Sequence, residues 1–134
     1  MASERRVQRV NQLLREELSR LIRREMKDPR VELVTVTGVE VSGDLRHATV
    51  HVRTLRDDPP VEEAIQGLRS AEGFLRGKLG RELRIRRIPE LTFEADRTLE
   101  RARRIEALLD QVAEETEDAG GRDAAEGDDG VRGE

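Results

Sequence analysis

The chain has 134 residues, 29 acidic and 25 Lys or Arg side chains, a net charge of −4, and no cysteine, so disulfide frameworks and thiol chemistry are excluded. Phe74 and Phe93 are its only aromatic residues, which leaves one modest core of Leu, Val, Ile and Ala. No apolar run approaches the roughly 18 residues of a membrane span, no apolar segment follows the Met-Ala-Ser-Glu-Arg-Arg start, and a cytoplasmic location is expected.

The first predicted helix runs from Glu4 to about Lys27, with Ser3 as N-cap and Asp28-Pro29 as the stop. Val7, Val10, Leu14, Leu18 and Leu21 share one side of it. Arg5, Arg6, Arg9, Arg20, Arg23, Arg24 and Lys27 form a basic stripe roughly opposite. For a lone helix, such a stripe is also what a plain solvated face looks like.

Val31–Val41 is the first predicted strand. Val34 and Val36 are in one phase and Val39 and Val41 in the other, so a bulge is expected near Thr37-Gly38. Ser42-Gly43-Asp44 is turn chemistry. Ala48, Val50 and Val52 alternate with polar residues as the second strand of an antiparallel hairpin. His47 and His51 share a face of that strand about 13 Å apart, too far to ligate one metal.

Val61 to Asp96 reads as helix, kink, helix, strand. Val61, Ala64, Ile65, Leu68 and Ala71 make an apolar face that Phe74, Leu75 and Leu79 continue. The join is Ala71-Glu72-Gly73, where a positive φ at Gly73 is expected to turn the chain. Gly80 reads as the C-cap of the second helix. Leu83 and Ile85, then Leu91, Phe93 and Ala95, alternate as a third strand, interrupted at Arg87-Ile88-Pro89. Two intervening helices allow the second and third strands to be parallel neighbours. Seven cations lie between Arg69 and Arg87, against Glu72 and Glu82.

Thr98–Val112 is a last predicted helix with Leu99, Ile105, Leu108, Leu109 and Val112 on its apolar side. From Glu114 to Glu134 nine acids face two bases. With five glycines and only Ala and Val as apolar residues, this tail is expected to be disordered. Residues 1–113 and 114–134 are thus read as a domain and its tail. The expected class is α+β, a three-stranded sheet with helices on one face.

The sequence holds no Walker loop and no serine elbow, and no pair of acids is set apart by an apolar surrounding. Gly77-Lys78-Leu79-Gly80 matches the GxxG pattern of KH domains, but only Arg81-Glu82 separates it from the third predicted strand, leaving no room for a following helix.

Several motifs occur in order: Asp28-Pro29-Arg30, Val34-Thr35-Val36, Val39-Glu40-Val41-Ser42, Asp44-Leu45 with Ala48, and Leu68. Ala71-Glu72-Gly73-Phe74-Leu75-Arg76, Leu79-Gly80, Leu83, Arg86, and Pro89-Glu90-Leu91-Thr92-Phe93 through Asp96 follow. Together they resemble the bacterial ribosome-binding factor A family from about residue 4 to about residue 110. The resemblance implies a KH-like fold of the second topology (α-β-β-α-kink-α-β), in which an Ala-x-Gly kink replaces the GxxG loop. It implies a non-enzymatic factor that binds the free small (30S) ribosomal subunit, assists late maturation of 16S rRNA and supports growth in the cold. No cofactor, metal, membrane or small-molecule substrate is expected, and a monomer is.

The cations expected to meet rRNA are Arg5, Arg9, Arg20, Arg23, Arg24 and Lys27 of the first helix. Arg69, Ala71, Glu72, Gly73, Arg76 and Lys78 of the kinked pair join them, with Arg84, Arg86 and Arg87 beyond it. Phosphate contacts of this kind position a protein and carry little base information. The competing expectation is a module whose basic stripe binds an acidic protein.

Overall fold

The computed structural model describes residues 3–122, with side chains as far as Thr116. Its elements are α1 (Glu4–Glu25), a single 3-10 turn (Pro29–Val31), β1 (Val34–Val41), β2 (His47–Thr54), α2 (Val61–Ser70), α3 (Glu72–Glu82), β3 (Glu90–Ala95) and α4 (Thr98–Arg122). The chain divides into two compact units, Met1–Asp96 and Arg97–Glu134.

In the first unit the strand order is β1-β2-β3, with β1 and β2 antiparallel and β2 and β3 parallel, as the element order requires. The expected bulge is present. Val36 pairs with Val52 and Gly38 with His51, so Thr37 is the extra residue. It turns Val36, Val39 and Val41 to the same buried side despite their opposite phases. The Thr37 hydroxyl donates to the His51 carbonyl at 3.2 Å.

One face of the sheet supplies Val50, Val52, Leu91 and Phe93 to the core, against Leu14 and Leu18 of α1, Leu68 of α2, and Leu75 and Leu79 of α3. Every buried apolar side chain among the described residues lies between Val10 and Phe93. Each fully buried Leu or Phe contributes about 1.5–3 kcal/mol. The other sheet face is polar and carries Glu40, Glu90 and Glu94 against Arg53.

Ser3 caps α1 by accepting from the Arg6 N–H at 3.2 Å. Asn11 accepts from the Val41 N–H at 2.8 Å, tying α1 to the end of β1. The Asp28 carboxylate accepts from the Arg30 backbone at 2.9 Å and its guanidinium at 2.6–3.0 Å, closing the turn that follows α1. This turn packs on α2 at Gly67, where a Cβ would stand 3.1 Å from Asp28 Oδ2 and 3.2 Å from Val31 Cγ1.

Several expectations are corrected. Val31 belongs to the 3-10 turn, not to the first strand, because Pro29 cannot donate to a ladder and presets a helical φ. The bend between α2 and α3 is at Ala71, with φ −99° and ψ 8°, while Gly73 is helical with no positive φ. The Ala71 N–H is shared between the carbonyls of Gly67 and Leu68, which tightens the last turn of α2 and rotates the next helix away. Phe74 is 46% exposed, since that rotation takes it off the apolar face. Gly80 lies inside α3, which ends at Leu83 with its N–H on the Leu79 carbonyl.

Leu83 and Ile85 are not in a strand. The segment from Arg84 to Pro89 is irregular, and pairing begins at Glu90 opposite His47. α4 runs past Val112 to Arg122, so the first residues of the acidic tail continue the helix. Residues 123–134, where the rest of the expected disordered tail falls, lie outside the described residues. Within α4, Leu99, Ile105, Leu108, Leu109 and Val112 are each 49–62% exposed.

Candidate nucleic-acid interface

The irregular segment before β3 runs close to the β1–β2 turn and the first half of α1. Between them opens a groove of about 1040 Å³. Six arginines line it: Arg6 and Arg9 from α1, Arg46 from the turn, and Arg84, Arg86 and Arg87 from the irregular segment. All six are exposed, and none has a salt-bridge partner among the described residues. Val10, Leu13, Leu45, Ile85 and Pro89 supply apolar surface, and Asp44 is the one acid. Arg46 and Arg87 also line a smaller adjoining cleft with His47, Arg76, Ile88 and Glu90.

Asp44 serves the turn. It accepts from the Ser42 hydroxyl at 2.6 Å and the Arg46 N–H at 3.1 Å, and the Ser42 oxygen in turn accepts from the His47 N–H at 3.1 Å. The hydrogen bond from Ser42, then that from the Arg46 backbone, holds the Asp44 carboxyl below the usual carboxylate range. Leu45 takes φ 62° within this turn, a left-handed conformation uncommon for a branched side chain.

The segment bearing Arg84, Arg86 and Arg87 is held by the α3 side of the kink. Arg76 donates to the Ile88 carbonyl at 3.0 Å and the Pro89 carbonyl at 3.1 Å. Glu72, in the first turn of α3, accepts from the Leu91 N–H at 3.0 Å and stands 3.7 Å from Arg76. Carboxylates are favoured there by the exposed N–H groups of the helix start. Glu72 and Arg76, both expected at the RNA, thus also fasten the start of β3.

The other expected residues separate into groups. Arg9, Arg84, Arg86 and Arg87 come together in the groove. Arg20 is paired to Glu17 and, at 3.3 Å, to Glu82, and Lys78 lies 3.9 Å from Glu25 and over the Phe74 ring at 5.7 Å. The pairs with Glu82 and Glu25 join α1 to α3, and together these contacts leave less free charge for a ligand. Arg23 and Lys27 line a second concavity of about 450 Å³ with Asp28 and Glu32, where opposite charges offset. Arg5, Arg24 and Arg69 are exposed outside the groove, as is Gly73, and Ala71 is half-buried at the bend. Arg6 is visible in the helical stripe of the sequence. Arg46 carries no such local signal, because only the β2–β3 register brings it to Arg87.

The first unit is a KH-like α+β domain of the second topology, with a cationic groove at the end of its sheet where β2 and β3 begin. The sequence pattern of the family described as ribosome-binding factor A matches residues 6–109, and the chain belongs to that family. Ribosome-binding factor A of Thermosynechococcus vestitus is 45% identical over 117 residues, 86% of this chain and 93% of that protein. The crystal structure of ribosome-binding factor A from Thermus thermophilus superposes with a TM-score of 0.60 at 32% identity, covering 66% of this chain and 94% of the other. A solution NMR structure of a Thermotoga maritima protein matches with a TM-score of 0.50 at 30% identity, covering 67% and 82%. No helix among the described residues is long and apolar enough to cross a membrane.

Proposed function

We propose that this protein is a non-enzymatic, cytoplasmic assembly factor that binds the free small ribosomal subunit and assists late maturation of its 16S rRNA. Membership of the ribosome-binding factor A family supports the partner. The observation that carries the contact is the set of six arginines, without salt-bridge partners among the described residues, in one groove. Guanidinium groups fork onto phosphate oxygens and stay charged at every physiological pH. The open sheet face, with Glu40, Glu90 and Glu94, repels phosphate, so it is not the docking side. A bound factor shifts rRNA between conformations only by binding one better than the other, and a rigid groove does so by shape.

Co-sedimentation with purified small subunits tests this reading. Binding is expected to fall steeply with salt, with a log–log slope of about −0.7 to −0.9 per phosphate neutralised. Arg86→Glu with Arg87→Glu should abolish association at moderate salt. Association that survives both the double reversal and nuclease digestion would instead mark a protein partner.

A further inference from the structure

The groove has more apolar lining than a site for phosphates alone requires. Leu13 is the clearest case. It lines the groove and is half-buried, yet it does not belong to the core or to the apolar residues packed against it. Leu45 and Ile85, half-buried and packed in part against the core, add further apolar surface to the groove. Leu45 is held there at φ 62°, a strained backbone of the kind that persists where the surrounding structure imposes it. The volume, about 1040 Å³, stands just above the roughly 300–1,000 Å³ typical of small-ligand clefts, room enough for a nucleotide.

We propose that this groove takes a short unpaired stretch of RNA, its phosphates on Arg46, Arg86 and Arg87 and a splayed base against Leu13, Leu45 and Ile85. An RNA duplex stacks its base faces inward and offers phosphates, riboses and polar base edges to a protein, so apolar walls gain little from it. An unpaired base has an apolar face to bury, and contacts of this kind tolerate any sequence. The groove lies apart from the Ala71-Glu72-Gly73 bend, none of whose residues line it. This inference names the RNA form taken by the proposed rRNA-binding surface and rests on that reading.

The test uses the full chain and two fluorescent probes, a short oligouridylate and a blunt RNA duplex of equal phosphate count. The single strand is expected to bind about five- to tenfold tighter, the low end for an apolar rather than aromatic wall. Leu13→Gln should erase most of that preference while leaving duplex affinity and the melting temperature unchanged. Arg46→Glu should weaken both probes, and Arg15→Glu, exposed on α1 outside the groove, neither. Equal affinity for the two probes, or a tighter duplex, overturns the inference even if small subunits still bind. Should Leu13→Gln melt early, the two-probe comparison on the unaltered protein and on Arg46→Glu decides alone. Loss of small-subunit association with the single-strand preference intact would instead overturn the ribosomal reading.

Discussion

Gly67→Ala and Gly77→Ala exchange the same atoms at two helical glycines, and the structure assigns them opposite signs. In an open helix position, Gly to Ala stabilises by about 0.4–1 kcal/mol through helix propensity and unfolded-state entropy. At Gly77 a Cβ meets nothing within 4 Å, so the full gain is expected. At Gly67 it would stand 3.1 Å from Asp28 Oδ2, 3.2 Å from Val31 Cγ1 and 3.4 Å from Arg30 Nε. Val31 is only 3% exposed, and Asp28 is held by Arg30, so neither neighbour gives way easily. Overpacking of this kind costs about 1–3 kcal/mol, which exceeds the propensity gain and leaves a net loss of up to about 2 kcal/mol. For a domain of 60–100 residues, 1 kcal/mol shifts the midpoint by about 4–8 °C. Thermal melts should therefore show Gly77→Ala several degrees above the parent and Gly67→Ala up to about 15 °C below it. A Gly67→Ala protein that melts as high as Gly77→Ala would refute the close packing of α2 on the Asp28–Val31 turn.

Gly73→Ala should raise the melting temperature too, since Gly73 is helical and a Cβ there meets nothing within 4 Å; a lower melt would restore the bend to Gly73. Arg76→Ala removes two hydrogen bonds from a charged donor to the Ile88 and Pro89 carbonyls, a loss of about 1–3 kcal/mol by denaturant titration, with weaker small-subunit binding as the arginine segment loosens. Asp28 is held below the usual range by its hydrogen bonds from the Arg30 side chain and then backbone, as Asp44 is by Ser42. Depressed carboxylates add stability above their unfolded value, about 3.9, and lose it as pH falls through the lower folded value, so the melt should drop below about pH 4. Asp28→Asn with Asp44→Asn should flatten that drop; an unchanged acid limb would place it elsewhere. A chain shortened to residues 1–113 should keep a cooperative melt, because the described core ends at Phe93. Loss of the net negative tail should tighten RNA binding at low salt, measured by anisotropy.

Much of the fold is legible locally. The 3.6-residue recurrence of Val10, Leu14, Leu18 and Leu21 marks the buried side of α1, and the phase slip across Thr37-Gly38 marks the bulge. The two-helix connection also foretells the parallel pairing of β2 and β3. Local signals mislead where they compete with a contact from elsewhere. Leu83 and Ile85 alternate like a strand but find no partner strand, because β2 begins at His47 and that residue is matched by Glu90. Gly73 carries the small side chain expected of a bend, yet the shared N–H of Ala71 makes the turn before the chain reaches it.

The sequence by itself determined the order of helices and strands, which faces are apolar, and that the cations cluster on the first helix and between Arg69 and Arg87. Those properties depend on residues a few positions apart, within reach of one helical turn or one strand pleat. Tertiary structure alone decided which cations remain available. It commits Arg20 to Glu82, Lys78 to Glu25, and Arg76 to the carbonyls before β3. It also sets Arg6 and Arg9 beside Arg46 and Arg84, across intervals of dozens of residues that no periodicity spans. Charge is written in the chain, but whether a guanidinium faces a carboxylate or an open groove depends on the register of β2 against β3 and the packing of α1 on β1 and α3.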